Sequence, residues 1–466
     1  MEQFEHTGYW WLPSEPNKKI SGSLKFHPLD GITLDLIGSF GEFKDFPKVR
    51  EEHIILGVTS GGKAATLYKC FQSKSSLSLD TGLSTSSYAA QVLFLGHRFE
   101  KPEDIVFSSF SIGYYYLEEW TGITGFSMKH EADESGKHSR EIVTYSFPEE
   151  IAVDVGDVGV SITYRFTSGG ARLKEVLMKH VTYFKVKTKA PASFDVFNER
   201  INFLLQNFLT LGLGRPTRPV FITATNENVK FEFPEGTTRY EDIEIYYAVN
   251  EMPDVAKTLH PLEMTFSLSD IRDTFGICLS NWFSKEHVLR PVYDLYFATL
   301  NSSSIYLTHG FLNLTQGLES YHRRAIGGHY VADAVFGNLL TTLTGSIPAA
   351  IPENYRSALK QGFRHLNEFS LRRRLGELIT KCSPIILKLI KEPDIYVNQI
   401  VATRNYLTHY DKDPERQVLH GEDLYWATRK LRALLEICLL LEIGLSIETI
   451  TKLFNRNQQM IFLGQK

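Results

Sequence analysis

The sequence predicts an α+β multidomain chain. A β-rich domain over residues 1–285, a sandwich or barrel-like fold with one inserted helix, precedes an all-α bundle over 286–466. Three observations carry this. Short runs rich in β-branched and aromatic residues, several alternating apolar with polar, fill the first 285 positions. Beyond them apolar residues recur at helical spacing and strand signals stop. The composition, 43% hydrophobic against 22% charged over 466 residues, is that of a globular chain long enough to bury its cores without disulfides.

In chain order, strand signals fall at 32–36, 54–58, 66–70, 91–94, 141–146, 158–166, 220–223 and 243–249, parted by Gly, Pro, Ser and Asp clusters. The helical exception runs over 194–211, where Phe197, Ile201, Leu204, Leu205 and Phe208 share a face. It stops at Gly212-Leu213-Gly214-Arg215-Pro216. Past residue 286, helices are predicted over 288–300, 304–325, 330–343, 353–367, 371–391, 394–410 and 421–444. Asn301 to Ser304 breaks and re-caps the first pair, and Glu392-Pro393-Asp394 parts a later one. The last helix opens at Gly421 and turns Leu424, Leu431, Leu434, Leu435, Cys438 and Leu441 to a core.

Several chemistries are excluded. Gly57-Val58-Thr59-Ser60-Gly61-Gly62-Lys63-Ala64 spells a phosphate-binding loop except at its last position, where a magnesium-binding hydroxyl is required. A strand rather than a helix follows it, so the run is predicted to be a β-turn. The serine-nucleophile motif G-x-S-x-G and the zinc motif H-E-x-x-H are both missing. Cys70, Cys278, Cys382 and Cys438 share no metal-ligand spacing. The expectation is therefore no metal and no cofactor, in a reduced, cytoplasmic compartment. The acidic N-terminus lacks a signal-peptide core. The greasiest stretch, 434–445, is interrupted by Glu436 and Glu442 and is too short for a bilayer, so no membrane partner is expected. Trp10-Trp11 and Tyr114-Tyr115-Tyr116 suggest an aromatic platform, but such runs in β-rich domains are more often core.

Charge divides unevenly. Residues 286–466 hold 21 Lys and Arg against 17 Asp and Glu, which leaves residues 1–285 with 29 against 37. Nine of the basic residues crowd into 356–391, opposed only by Glu368 and Glu377. That is either the footprint of a phosphate-rich partner or a solvated helix face.

The informative run is Arg404-Asn405-Tyr406-Leu407-Thr408-His409. An Arg followed by a His after four to six intervening residues occurs by chance roughly twice in a chain of this composition; requiring Asn directly after the Arg lowers that to about 0.04. Arg323 and Arg324 also precede a histidine, His329, but across Gly327-Gly328 and without the Asn. Cleavage of RNA by its own 2′-OH needs a proton acceptor and donor near neutral pH and a fixed cation for the charge that builds on phosphorus. His409 and Arg404 are the residue types for those roles, and the chemistry requires no metal. Five residues on a helix turn about 140°, so the two side chains do not stack on one face. Either Arg404 curls back or a second copy completes the site. His409 is also placed near a helix end by Asp411-Lys412-Asp413-Pro414, where the dipole favours imidazolium and a general-acid role. A structural Arg and His at a helix end is the other reading that the spacing allows.

With this run, the C-terminal part resembles the HEPN superfamily, all-α domains of many prokaryotic RNases whose motif is R-N-x-x-x-H. Glu319 with Arg323 matches a second, E-x-x-x-K/R element. Residues 311–324, 370–378 and 404–411 look like the ApeA-type branch. The runs Gly8-Tyr9-Trp10-Trp11-Leu12-Pro13, Gly22-Ser23-Leu24 and Leu34-Asp35-Leu36-Ile37-Gly38 look like the β-rich domain that precedes HEPN there. The resemblance implies an anti-phage endoribonuclease with RNA, tRNA above all, as partner, working as a homodimer or higher assembly whose motifs face each other. It implies that Arg404 stabilises the phosphate, Asn405 orients groups, His409 transfers protons, and Glu319 and Arg323 support them. Products would be a 2′,3′-cyclic phosphate and a 5′-OH, and infection, sensed through a phage-encoded trigger, would end in growth arrest. Arg356, Lys360 and Arg364 on one stripe, with Arg372, Arg373 and Arg374 beyond, are then the candidates for RNA phosphates. The alternative is a non-catalytic HEPN module that binds RNA or protein, with a ligand-binding β-domain.

Overall fold

The structure, a computed structural model, describes residues 1–40, 51–77, 84–171, 173–233, 235–236, 238–249, 258–302, 305–410 and 417–466. By internal packing the chain divides into two units, Met1–Ser280 and Asn281–Lys466.

The first unit opens with six strands: β1 (Phe4–Trp11), β2 (Ile20–His27), β3 (Gly31–Leu36), β4 (Glu51–Thr59), β5 (Ala64–Leu77) and β6 (Ser84–Leu95). They pair antiparallel in the order β6-β3-β2-β1-β4-β5 and return to β6, which closes a barrel. Alternate residues point inward, as the period of two requires; in β3, Ile32, Leu34 and Leu36 are buried and their neighbours are not. Trp10 is fully buried in the barrel and lies so close to Gly57 that a Cβ there would meet its ring at 2.2 Å. The phosphate-loop look-alike is the β4–β5 turn: the Thr59 amide bonds the Lys63 carbonyl at 2.9 Å and Gly62 has φ +80°.

The remaining strands are β7 (Val106–Tyr114), β8 (Phe126–Ala132), β9 (His138–Tyr145), β10 (Ile151–Val155), β11 (Val158–Ala171), β12 (Val176–Ser193), β13 (Pro219–Glu232) and β14 (Thr238–Tyr247). The order β10-β11-β12-β7-β13-β14 joins the barrel at β6. β6 serves three neighbours because one edge is divided: residues 86–90 pair with β3 and 92–95 with β14, while β5 takes the other edge. β8 and β9 form a separate two-stranded ribbon. The predicted helix over 194–211 is present as α2 (Phe194–Val196), a π-helical stretch Phe197–Asn202, and α3 (Phe203–Leu213). Gly214 ends it at φ +70°. Phe197 stacks on Phe110 of β7 at 3.7 Å, which seats the helix on the sheet. Trp10, Trp11, Tyr114 and Tyr116 are all buried, so the aromatic runs are core.

The expectation of one helix before residue 285 needs correction. A short helix α1 (Leu117–Thr121) follows β7, and α4 (Leu268–Ile271) and α5 (Phe275–Ser284) close the segment. Their buried Leu268, Ile271, Phe275 and Leu279 recur at helical spacing, a signal the strand-rich surroundings obscured.

The second unit is helical: α6 (Glu286–Asn301), α7 (Leu307–Tyr321) with a π-helical extension His322–Ile326, α8 (Asp333–Gly345), α9 (Glu353–Arg364), α10 (Leu371–Lys381), α11 (Pro393–His409), α12 (Gly421–Glu442), α13 (Ile447–Arg456) and α14 (Gln458–Leu463). The predicted 371–391 helix stops at Lys381. Pro384 offers no amide to a continuing ladder, and the residue before a proline is driven out of the helical region. α13 and α14 lie past the last predicted helix; Ser446 caps α13 by accepting the Thr449 amide at 3.1 Å. The re-capping expected at Ser303 and Ser304 lies outside the described residues. Among the described residues no helix is long and apolar enough to cross a membrane.

α12 is the spine of this bundle. Its buried Leu431, Leu434, Leu435 and Cys438 pack inward, and it carries two acids into the interior. Glu436 accepts from Tyr296 and Arg432, both at 2.7 Å. Glu442 accepts from Tyr321 at 2.7 Å and Lys285 at 2.7 Å. α8 and α9 behave differently, for neither has a buried residue. That hairpin is clasped at its neck by buried Asn367, whose side chain accepts the Val331 amide at 2.9 Å and donates to the Val331 carbonyl at 3.0 Å.

Candidate active site

α11 builds the site through its own amphipathicity. Tyr396, Val397, Ile400 and Thr403 face inward at helical spacing. Tyr396 Oη donates to the Ala427 carbonyl of α12 at 2.9 Å, and Thr403 Oγ1 accepts the Leu419 amide at 2.9 Å. These contacts fix the rotation of the helix. Arg404, one step past Thr403, then sits at the margin of the buried stripe, with its side chain 35% exposed. Asn405 and His409, four apart, share the outward face and are exposed.

Arg404 turns to its neighbour on α11 and to α7. Its Nη1 donates to Asn405 Oδ1 at 3.0 Å, and its Nη2 lies 3.6 Å from Glu319 Oε2 on α7. Glu319 also meets Arg323 at 3.4 Å, one turn along its own helix, and Arg323 continues to Glu368 in a close ion pair. His365 Nδ1 follows at 3.3 Å. The result is a chain of alternating charge, Arg404–Glu319–Arg323–Glu368, that ends on the His365 ring. Burial alone would raise the Glu368 carboxyl, but His365 and Arg323 outweigh it and hold it below the ordinary glutamate value. His409 is the last residue of α11, and among the described residues nothing hydrogen-bonds to its ring. Tyr410 caps the helix in the left-handed region at φ +53°. The predicted Asp411-Lys412-Asp413-Pro414 stop lies outside the described residues.

The basic candidates divide. Arg356 turns to its own loop, with Nη2 donating to the Ala349 carbonyl at 2.6 Å and Nη1 3.1 Å from Glu353. Lys360 follows it along α9, and both line a groove against Leu340 and Thr344 of α8. Arg364 and Arg372 are exposed and, among the described residues, unpaired. Arg373 pairs with Glu377 at 2.9 Å and covers the Phe369 ring at 3.5 Å. Arg374 does not fit the role expected of it. It is 1% exposed and donates to the Phe369 carbonyl at 3.0 Å and the Gly327 carbonyl at 2.8 Å, and it contacts His322 Nδ1 at 2.9 Å. Position 374 lies three after Leu371 and four before Leu378, on the apolar stripe of α10, so the last arginine of the run turns inward.

Sequence reasoning missed the buried cluster this creates. His322, fully buried, meets Glu377 Oε2 at 2.8 Å through Nε2 and the Gly327 carbonyl at 3.1 Å through Nδ1. It also missed a groove of about 920 Å³ between α10 and α11, lined by Arg372, Arg373, Glu377, Asp394, Val397 and Asn398. The groove flanks the start of α11, about 15 Å along the axis from Arg404, at ten residues and 1.5 Å each. Neither feature has a sequence signal, because both depend on which helices become neighbours.

Two family models match the chain: ApeA N-terminal domain 1 over residues 5–282 and Apea-like HEPN over residues 312–449. The first covers more than half of the chain, and the two follow in the order of the β-rich and helical units.

The chain belongs to the ApeA family.

The ApeA architecture is that of an anti-phage HEPN nuclease family, and HEPN domains are in general ribonucleases that bind RNA and dimerise. Every residue of the Arg404-to-His365 charge chain, and His409, falls inside the ApeA-like HEPN match. No curated protein and no solved structure shows a significant match.

Proposed function

We propose that this chain is a metal-independent endoribonuclease of anti-phage defence. It cuts RNA, with tRNA the target class, by 2′-OH attack, leaving a 2′,3′-cyclic phosphate and a 5′-OH and arresting growth on infection. The observation that carries this is the arrangement at the end of α11. Arg404 is held by Glu319 and Asn405, while His409 stands outward with no partner among the described residues. A held cation and an exposed imidazole, brought together across two copies, are what a phosphate undergoing internal transesterification needs. Arg404 stabilises the charge developing on phosphorus, Asn405 orients it, and His409 moves the proton. Glu319 and Arg323 position Arg404. The 140° between Arg404 and His409 favours a homodimer in which the His409 of one copy serves the phosphate held by the Arg404 of the other. Arg364, Arg372 and Arg373, with Lys360 and the partly engaged Arg356, bind RNA phosphates. The compartment is cytoplasmic, and the β-rich unit restrains the nuclease until a phage-encoded trigger arrives.

The test compares wild type with Arg404→Ala and His409→Ala in cells, with and without phage, reading total RNA and the chemistry of its ends. Wild type is expected to cut RNA to cyclic-phosphate ends, and both variants to lose at least about a hundredfold of that activity while folding normally. Equal RNA profiles in all three would leave the motif structural and favour a binding module.

A further inference from the structure

The β8–β9 ribbon carries a cluster that the proposed nuclease chemistry does not use. His130 on β8 faces its direct cross-strand partner Glu141 on β9, with Nδ1 2.8 Å from Oε1. His138 joins them: its ring stands perpendicular to that of His130 at 5.7 Å between centroids. One ligand atom from each of the three lies within 4.8 Å of the others, and all three side chains are exposed.

His138 reaches this face through a bulge. Residues 138 and 141 are three apart, so in a regular strand they would point to opposite sides. The register steps between Glu131–Arg140 and Ala132–His138, leaving Ser139 as the extra residue, and this turns His138 onto the side of Glu141. Bulges of this kind re-aim a side chain. The ribbon's cations are kept off that face. Lys129 lies 2.8 Å and Arg140 4.0 Å from Glu131, one register position away on the other side. The loop between the strands is closed by Asp133, whose Oδ1 accepts the Ser135 amide at 2.9 Å and the Lys137 amide at 3.0 Å. At the far end, Tyr145 stacks on Phe166 at 4.3 Å and contacts His180 Nδ1 at 2.9 Å. The ribbon is thus tied to the sheet at its base and bears its ligands toward its tip.

We propose that His130, His138 and Glu141 form a binding site for a divalent transition-metal ion of the zinc class. Two imidazoles and one carboxylate are a donor set suited to zinc, with a fourth position for water. Tetrahedral bonds of about 2.1 Å place ligand atoms roughly 3.4 Å apart. The present separations bracket that value, and exposed side chains are free to rotate onto it. The expectation of no metal-ligating cluster arose because the ligand spacing, with seven residues and then two between the ligands, matches no familiar motif and becomes a cluster only through the bulge. A lone two-stranded ribbon is marginal in water, and an ion across its strands would staple it.

The experiment uses the untagged full-length chain, freed of metal with chelator and titrated with ZnCl2 against a chromogenic zinc indicator. One equivalent of zinc is expected to bind. His138→Ala and Glu141→Gln should each weaken it at least about tenfold, and excess MgCl2 should not compete, since magnesium demands a hard octahedral oxygen shell. His130→Gln gives a third variant should one of the others fail to fold by circular dichroism. If wild type takes up no stoichiometric zinc, or if the folded variants bind it as wild type does, the proposal falls and the trio is an ordinary cross-strand His–Glu pair. Nuclease activity is not the readout, so the outcome is independent of the reading of Arg404 and His409.

Discussion

Arg404 rests against a carboxylate, and that shapes what single substitutions do. Glu319 lies between two guanidiniums, 3.6 Å from one and 3.4 Å from the other. Glu319→Gln removes the anion that keeps Arg404 and Arg323 in register without emptying the space. The expected outcome is a fall of about tenfold in kcat, some 1.4 kcal/mol, with KM for RNA little changed. Glu319→Asp should recover part of the loss. A KM effect without a kcat effect would show that Glu319 serves RNA binding instead. At this scale the sequence was partly legible. Arg404, Asn405 and His409 stand out in the sequence as a candidate motif because a strict spacing lies on one helix. The Arg404–Glu319 contact joins positions 85 apart, and no local pattern shows it. Arg374 misled because a run of three arginines reads as exposed charge, although the leucines around it already mark position 374 as inward.

Between elements, Glu442 ties the end of α12 to Tyr321 of α7 and to Lys285 ahead of α6. Burial pushes its carboxyl up, but the hydrogen bonds from Lys285 and Tyr321 outweigh that and hold it below the ordinary glutamate value of 4.5. A depressed carboxyl stabilises the fold above its unfolded value, and that stability is lost as pH falls through the folded one. Glu442→Gln should therefore lower stability by about 1–3 kcal/mol at pH 7, with the gap to wild type closing below pH 4.5. Melting curves of both proteins across that range decide it; a constant gap would mean the charge is not what matters. The strands predicted at 32–36 and 54–58 lie inside β3 and β4, the first because it alternates cleanly and the second because it is a short, continuous apolar run. β12 escapes prediction because its exposed first four residues, Val176 to Lys179, break the pattern. The single helix over 371–391 fails at Pro384, a stop signal present in the sequence but overridden by the apolar run around it.

At the scale of the whole molecule, the two-part architecture was readable since strand signals stop near residue 286 and helical spacing runs on from there, with a shift in charge beside it. Closure of the barrel was not, because it depends on β6 dividing one edge between β3 and β14. The charge asymmetry bears on RNA binding. Replacing the exposed Arg364 and Arg372 by Gln should make log affinity fall less steeply with log salt. The slope should shrink by roughly 0.7 for each phosphate of single-stranded RNA that goes unneutralised. Unchanged slopes in filter binding would remove these two from the interface. The α8–α9 hairpin adds a consequence of another kind. With no buried residue on either helix and Asn367 as its clasp, it can part from the bundle without a core being breached. Its motion belongs to local opening rather than global unfolding, and the Arg356–Lys360–Arg364 stripe rides on it. A charge carried on such a segment sweeps a volume instead of occupying a point. On the function proposed above, the stripe would follow RNAs of different curvature while Arg404, anchored by Tyr396 and Thr403 on α11, stays fixed.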